Sequence, residues 1–204
     1  MDQSNKNSTT RSLVLHPYNI FLTLTLASLT VIFLSLSAAF VYSRVESNMP
    51  PIQLPIIFYF NTIILIGSSF TMRWAKQCYL NDNTEKYQLA LLVTIILTII
   101  FMFCQYIGWS DLFSRKLFLG SDNSSSYLYL ISGLHFVHVV AGLPFLILFL
   151  ITARKKMKEP VSVLVYFSDP LKRLKLRLLT IYWHFLDILW IYLVLFFLIN
   201  DIIR

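Results

Sequence analysis

Polar and apolar residues fall along this chain in long blocks rather than on alternating faces. Five stretches, at about 19–42, 55–73, 88–108, 127–152 and 178–199, are almost continuously apolar, and a helix that crosses hydrocarbon needs ~20 such residues. Backbone N–H and C=O groups in hydrocarbon have to be satisfied within the segment, so these runs predict helices and not open strands. They also lack the period-two alternation of a membrane barrel. The expected fold class is therefore all-α, a polytopic membrane bundle of five transmembrane helices forming one domain over 19–200. A polar tail, 1–18, precedes it. That tail has no short apolar core followed by a cleavage site, so no removed signal peptide is expected. The connections carry breaker chemistry: Pro50, Pro51 and Pro55, then Asn81, Asp82 and Asn83, then SDNSSS at 121–126. The longest connection, 153–177, is basic and holds Pro160 and Pro170. Pro144 removes a backbone donor inside the fourth run and is expected to bend it.

Composition supports the membrane reading. The chain of 204 residues is 57% hydrophobic and 13% charged, against roughly 25% charged in soluble domains. A soluble domain of this length has no interior large enough for that much apolar surface. The net charge of +7 could suggest nucleic acid, but the basic residues are sorted by connection. With the N-terminus placed in the cytoplasm, Lys6, Arg11, Arg73, Lys76, Lys86 and the eight basic residues of 153–177 fall on the cytoplasmic side. Only Arg44, Arg115, Lys116 and Arg204 fall outside. That asymmetry fits the positive-inside rule, giving a cytoplasmic N-terminus and an external C-terminus. The basic excess is then a topology signal and a surface for anionic lipid, and no nucleic-acid partner is expected. Cys78 and Cys104 match no metal-ligand spacing and no disulfide framework.

The residues that carry chemistry are those that do not suit hydrocarbon. The run YWHFLDILWIYL at 182–193 places His184 and Asp187 in its middle, and the fourth run places His135 and His138 likewise. Each pair is spaced i, i+3 and so shares one helix face. An ionisable group at mid-membrane costs roughly 2.5–3.5 kcal/mol on insertion scales, which turns these faces inward toward other helices. Three readings remain open for them: a structural polar network, a site that contacts protons or lipid headgroups, and a metal site. Asn61, Thr62, Ser68, Ser69 and Thr71 in the second run are read as packing residues, because small hydroxyl side chains commonly line helix–helix contacts. Trp183 and Trp190 are seven residues apart, hence on one face, and read as packing anchors. Trp74 and Trp109 suit an interfacial belt.

These residues carry a resemblance. GLHFVHVVAG at 133–142 together with YWHFLDILW at 182–190 resembles subunit III of the haem–copper cytochrome oxidases. Gly133, His135, His138 and Val139 match the family's first motif, and Tyr182, Trp183, His184, Phe185, Asp187 and Trp190 match its second. NTIILIGSSFTMRWA at 61–75, beginning with Asn61, is similar to a further family stretch, and Gln105 and Trp109 fall where the family has Q-x-x-E-[WY]. The resemblance covers about 15–200. Many family members have seven helices, and this chain resembles a short five-helix bacterial form that lacks the first two. In the long form those two helices close a lipid-holding cleft. The family often carries a glutamate in the first shared helix, where Leu29 stands here, and the glutamate of Q-x-x-E-[WY] is Gly108 here. Any role of those carboxylates is therefore not carried over.

The resemblance implies a non-catalytic accessory subunit of a proton-pumping oxidase that reduces dioxygen to water. It implies that haems and copper reside in partner subunits I and II, with no cofactor bound by this chain apart from phospholipid. It implies packing on subunit I and leaves room for a larger respiratory supercomplex. The chain's own chemistry points the same way. Its four histidines, including His16, are too few to ligate two haems and a copper, and no C-x-x-C-H attachment motif is present. The expected location is a bacterial plasma membrane. His184 and Asp187 are expected to lock the last two helices together. Subunit III of a quinol oxidase is a second reading, and a small proton-coupled membrane carrier is a third from another class. Against the carrier, no internal repeat is visible.

Overall fold

A computed structural model describes residues 17–47, 54–117, 123–157, 163 and 167–202. Lys6, Arg11, His16, Pro50, Pro51, Lys158, Pro160 and Arg204 lie outside these described residues. The chain forms five long helices: α1 Pro17–Ser47, α2 Ile56–Leu80, α3 Thr84–Ser114, α4 Asn123–Lys156 and α5 Pro170–Ile202. All five are long and apolar enough to cross a membrane. At ~1.5 Å per residue they run about 38–51 Å, which exceeds the ~30 Å of a hydrocarbon core, so their ends reach beyond it. The helices outlast the apolar runs that announce them. The region 153–177, expected as a connecting loop, contains the last turn of α4, with Arg154, Lys155 and Lys156, and the first two turns of α5, with Lys172, Arg173, Lys175 and Arg177. Long basic side chains let a helix continue through the headgroup layer, because their stems stay in apolar surroundings while the charge reaches water.

Local chemistry sets where the helices begin and end. Asn83 caps α3 by accepting a hydrogen bond from Lys86 N at 3.1 Å, and Glu85 lies in the first turn, where the helix dipole favours a negative charge. The turn between α2 and α3 is tight because Asp82 takes a left-handed conformation, φ 53°, which Asx residues tolerate. At the head of α5, Asp169 Oδ1 accepts from Leu171 N at 3.0 Å, and its other oxygen lies 3.3 Å from Lys172 Nζ. Helix α4 continues across Pro144.

Helices α2, α3, α4 and α5 form a ring of antiparallel neighbours, and α1 lies outside it against α4 and α5. The interior divides into two layers. One is built around Trp190, with Phe58 stacked on it at 5.6 Å and Phe101 edge-on at 5.1 Å. The other, nearer the basic ends, gathers Trp183, Met72, Leu146, Tyr79 and Tyr87. The tryptophans seven residues apart on α5 thus anchor one layer each. Leu29, at the family's glutamate position, is buried in the Trp190 layer.

Lipid tails are as apolar as leucine, so close van der Waals fit drives helix association in a bilayer. Two glycines allow that fit. A Cβ on Gly142 would come within 2.9 Å of both Trp183 Cζ3 and Tyr182 Cε1, and one on Gly108 within 2.7 Å of Ile57 Cγ2 and 2.9 Å of Phe58 Cε2. The space of the family's glutamate side chain at Gly108 is therefore taken by the Phe58 ring. Replacing Gly142 by alanine drives a methyl group into two stiff aromatic rings. The expected loss is about 1–3 kcal/mol, read as a lower unfolding midpoint in lipid nanodiscs. Gly133→Ala, where a Cβ meets nothing within 4 Å, should leave the midpoint unchanged.

Candidate functional site

Helix α2 supplies hydroxyls at positions where α5 supplies ring N–H groups. Asn61 and Ser68 are fully buried, and Thr62 and Ser69 sit beside them half-buried. The spacing of seven within each pair repeats the same face every two turns. Across the antiparallel seam Trp190 Nε1 donates to Thr62 Oγ1 at 3.3 Å, and Trp183 Nε1 donates to Ser68 Oγ at 3.0 Å. His184 Nδ1 lies 2.7 Å from Ser69 Oγ. Asp187, 4% exposed, places Oδ2 3.9 Å from the same His184 nitrogen. His184, Asp187 and Ser69 thus form one polar trio between α2 and α5.

The other motif residues make separate links. On α4, His135 is fully buried and donates from Nε2 to the Leu186 carbonyl of α5 at 3.1 Å. Its ring lies 5.0 Å from that of Trp190 and 5.9 Å from that of Phe101. His138 donates from Nδ1 to Leu134 O of its own helix at 2.6 Å, and its backbone carbonyl accepts from Tyr182 OH at 2.9 Å. Phe33 of α1 meets the His138 ring edge-on. Asn61 Nδ2 donates to Gln105 Oε1 at 2.9 Å, tying α2 to α3 through two fully buried amides. Trp109 Nε1 donates to Ser132 Oγ at 3.1 Å and its carbonyl accepts from Tyr129 OH at 3.2 Å, joining α3 to α4.

The expectation that His184 and Asp187 lock the last two helices together needs correction. Their partner is Ser69 on α2, and α4 is joined to α5 by His135 and Tyr182 acting on backbone carbonyls. Sequence distance is the reason: adjacent runs suggest adjacent partners, whereas α5 closes the ring back onto α2. Trp109, read as part of an interfacial belt, also donates between helices. The hydroxyls of α2 were legible as packing residues, and their spacing of seven, matched to that of Trp183 and Trp190, is the signal that pairs them. The pairing of Arg44 with Asn200 carried no sequence signal. Arg44 bonds both the backbone and side-chain oxygens of Asn200 and clamps the far ends of α1 and α5.

Among the motif residues, four buried polar atoms keep an unused valence: Asn61 Oδ1, Gln105 Nε2, His135 Nδ1 and Asp187 Oδ2. Among the described residues no group of three His, Cys, Asp or Glu could hold a metal ion. The chemistry on offer is hydrogen bonding between helices in a medium without water.

The model of the family described as cytochrome c oxidase subunit III matches residues 6–201. The chain belongs to that family. Among its relatives, cytochrome c oxidase subunit 3 of Papio hamadryas is 29% identical over 143 residues, which is 70% of this chain and 49% of the relative. The Spodoptera frugiperda protein of the same name is 29% identical over 143 residues, 70% of this chain and 86% of the relative. That of Candida glabrata is 32% identical over 148 residues, 72% of this chain and 49% of the relative. The chain thus spans about half the length of the Papio and Candida relatives. As a subunit III family member with five helices long and apolar enough to span a membrane, it is a multi-pass membrane protein.

Ser68→Ala should strand the buried Trp183 indole N–H. A stranded buried donor costs about 1–3 kcal/mol, so the unfolding midpoint in nanodiscs should fall. Thr23→Ala, which removes an exposed hydroxyl bonded, among the described residues, to Asn19 O of its own helix, should not move it.

Proposed function

We propose that this chain is a non-catalytic accessory subunit of a proton-pumping haem–copper terminal oxidase. It packs on and stabilises catalytic subunit I, in a complex with subunit II that reduces dioxygen to water. The observation that carries this reading is the family match over 6–201. The geometry agrees: His135, His138, His184 and Asp187 all lie against hydrogen-bonding groups of the bundle itself. Haems and copper belong, in this reading, to the partner subunits.

Phospholipid is the ligand proposed for the chain itself. What supports it is a cleft of about 750 Å³ between α1, α4 and α5. Phe21, Phe145 and Phe149 line its apolar wall, and Lys172 and Lys175 stand at the basic end. Acyl chains suit the first group and a phosphate the second. The cleft exists because α1 is pinned to the bundle mainly at its far end, by Phe40 against Phe196 and Phe197 and by the Arg44–Asn200 clamp. Basic residues concentrated at one end of the bundle support a cytoplasmic N-terminus.

The test is a mild-detergent pull-down through a tag on Arg204, with an optical spectrum of the eluate. Haem absorbance and larger co-purifying subunits are expected, whereas a colourless solitary chain under lipid-preserving conditions would remove the reading. In the same preparation, Asp187→Ala should lower complex yield and thermal stability while leaving the haem spectrum in place. Unaltered yield and stability with lost proton pumping would assign Asp187 to proton transfer instead.

A further inference from the structure

We propose that the outer face of the α2–α5 seam receives a membrane-spanning helix of another oxidase subunit, and that this helix donates a hydrogen bond to His184 Nε2. The proposal rests on the accessory-subunit reading and names the surface that reading uses.

His184 is the member of the polar trio that the bundle does not enclose. Its side chain is 20% exposed, against 5% for Asp187. Nδ1 points inward, 2.7 Å from Ser69 Oγ and 3.9 Å from Asp187 Oδ2. In this proposal the ring proton sits on Nδ1, because Asp187 Oδ2 lies on that side and the Ser69 hydroxyl can accept while passing its own proton on. Nε2, the other nitrogen of this partly exposed side chain, is then a bare acceptor. It has no hydrogen-bond partner among the described residues.

Depth decides what can supply the missing donor. Helix α5 runs Pro170–Ile202, and at ~1.5 Å per residue His184 lies roughly 21 Å from its start, near the helix midpoint. Lipid headgroups sit at the helix ends, and acyl chains carry no donor. A second copy of this chain fails for a different reason. A two-fold contact sets the same patch against itself, and here that brings one bare acceptor against another. A helix of a different chain, carrying serine, threonine, tyrosine, tryptophan, asparagine or glutamine at that depth, meets both requirements.

The surroundings fit such a helix. Ile66 and Phe70 on α2 and Ile181 and Ile188 on α5 are 41%, 64%, 39% and 66% exposed. They make apolar flanks on either side of the one polar point. The spacing of Ile181, His184 and Ile188 follows one stripe of α5, which is the surface a crossing helix covers.

Two measurements on the intact complex test this. A photo-crosslinking amino acid in place of Ile188 should join this chain to a larger haem-bearing subunit. The same probe in place of Phe103, 65% exposed on the outer face of α3, should not. The second measurement compares two amides. Glutamine places its terminal group where Nε2 stands, while asparagine reaches only as far as Nδ1. His184→Gln should hold the co-purifying subunit near the wild-type amount, and His184→Asn should lose it about threefold, the worth of one intramembrane hydrogen bond. A heterologous adduct from position 103 and none from 188 sinks the proposal. So does an adduct at 188 between two copies of this chain, or full retention of the partner by His184→Asn. Haem co-purifying alongside any of those results would leave the accessory-subunit reading standing while this surface assignment falls.

Discussion

A polar atom in hydrocarbon has no water to turn to, and an unsatisfied one costs several kcal/mol. The arrangement of this bundle follows from how α2 and α5 meet that constraint. Thr62, Ser68 and Ser69 face Trp190, Trp183 and His184 in antiparallel register. A shift of either helix by one residue would break all three contacts at once. Individual intramembrane hydrogen bonds contribute only ~0.6 kcal/mol on average. Their combined effect is less a large stabilisation than a choice of register, because every alternative leaves indole or imidazole donors bare.

The rest of the ring is set by the same two tryptophans acting as bulk. Trp190 stacks with Phe58 and lies edge-on to Phe101, so it brings α2, α3 and α5 to a common distance. Trp183 occupies space that Gly142 leaves open on α4. One residue type therefore fixes register through its N–H and spacing through its ring. Helix α1 stands apart from this system. Its polar and aromatic ties to the bundle cluster near Arg44 and Phe40, and Lys175 over the Tyr18 ring is a contact at the opposite end. A helix held mainly at one end leaves a wedge at the other, and that wedge is the apolar cleft with lysines at its edge.

The paired histidines show how far a motif can be read alone. His135 and His138 share a face of α4, yet one reaches across to Leu186 O and the other folds back on Leu134 O. Their spacing implied a common environment; their neighbours differ because α5 crosses nearer to His135 while Phe33 of α1 covers His138. Likewise, the i, i+3 spacing of His184 and Asp187 showed that they lie on one face, but not which helix that face meets. Asn61 and Gln105 were visible as polar residues out of place, though nothing in either run named the other.

The sequence by itself determined the five helices and which of their ends carry the basic residues. It also determined the inward-facing polar residues and, through two motifs, the family. These are properties of single segments: helix formation in hydrocarbon depends on local length and apolarity, and charge sorting depends on loop composition. The pairing of helices was decided only by the tertiary structure. Which hydroxyl receives which indole, that Asp187 belongs with α2, and that His184 stays partly exposed all depend on two segments being close in space. Periodicity within one helix specifies a face, and only packing specifies what that face touches.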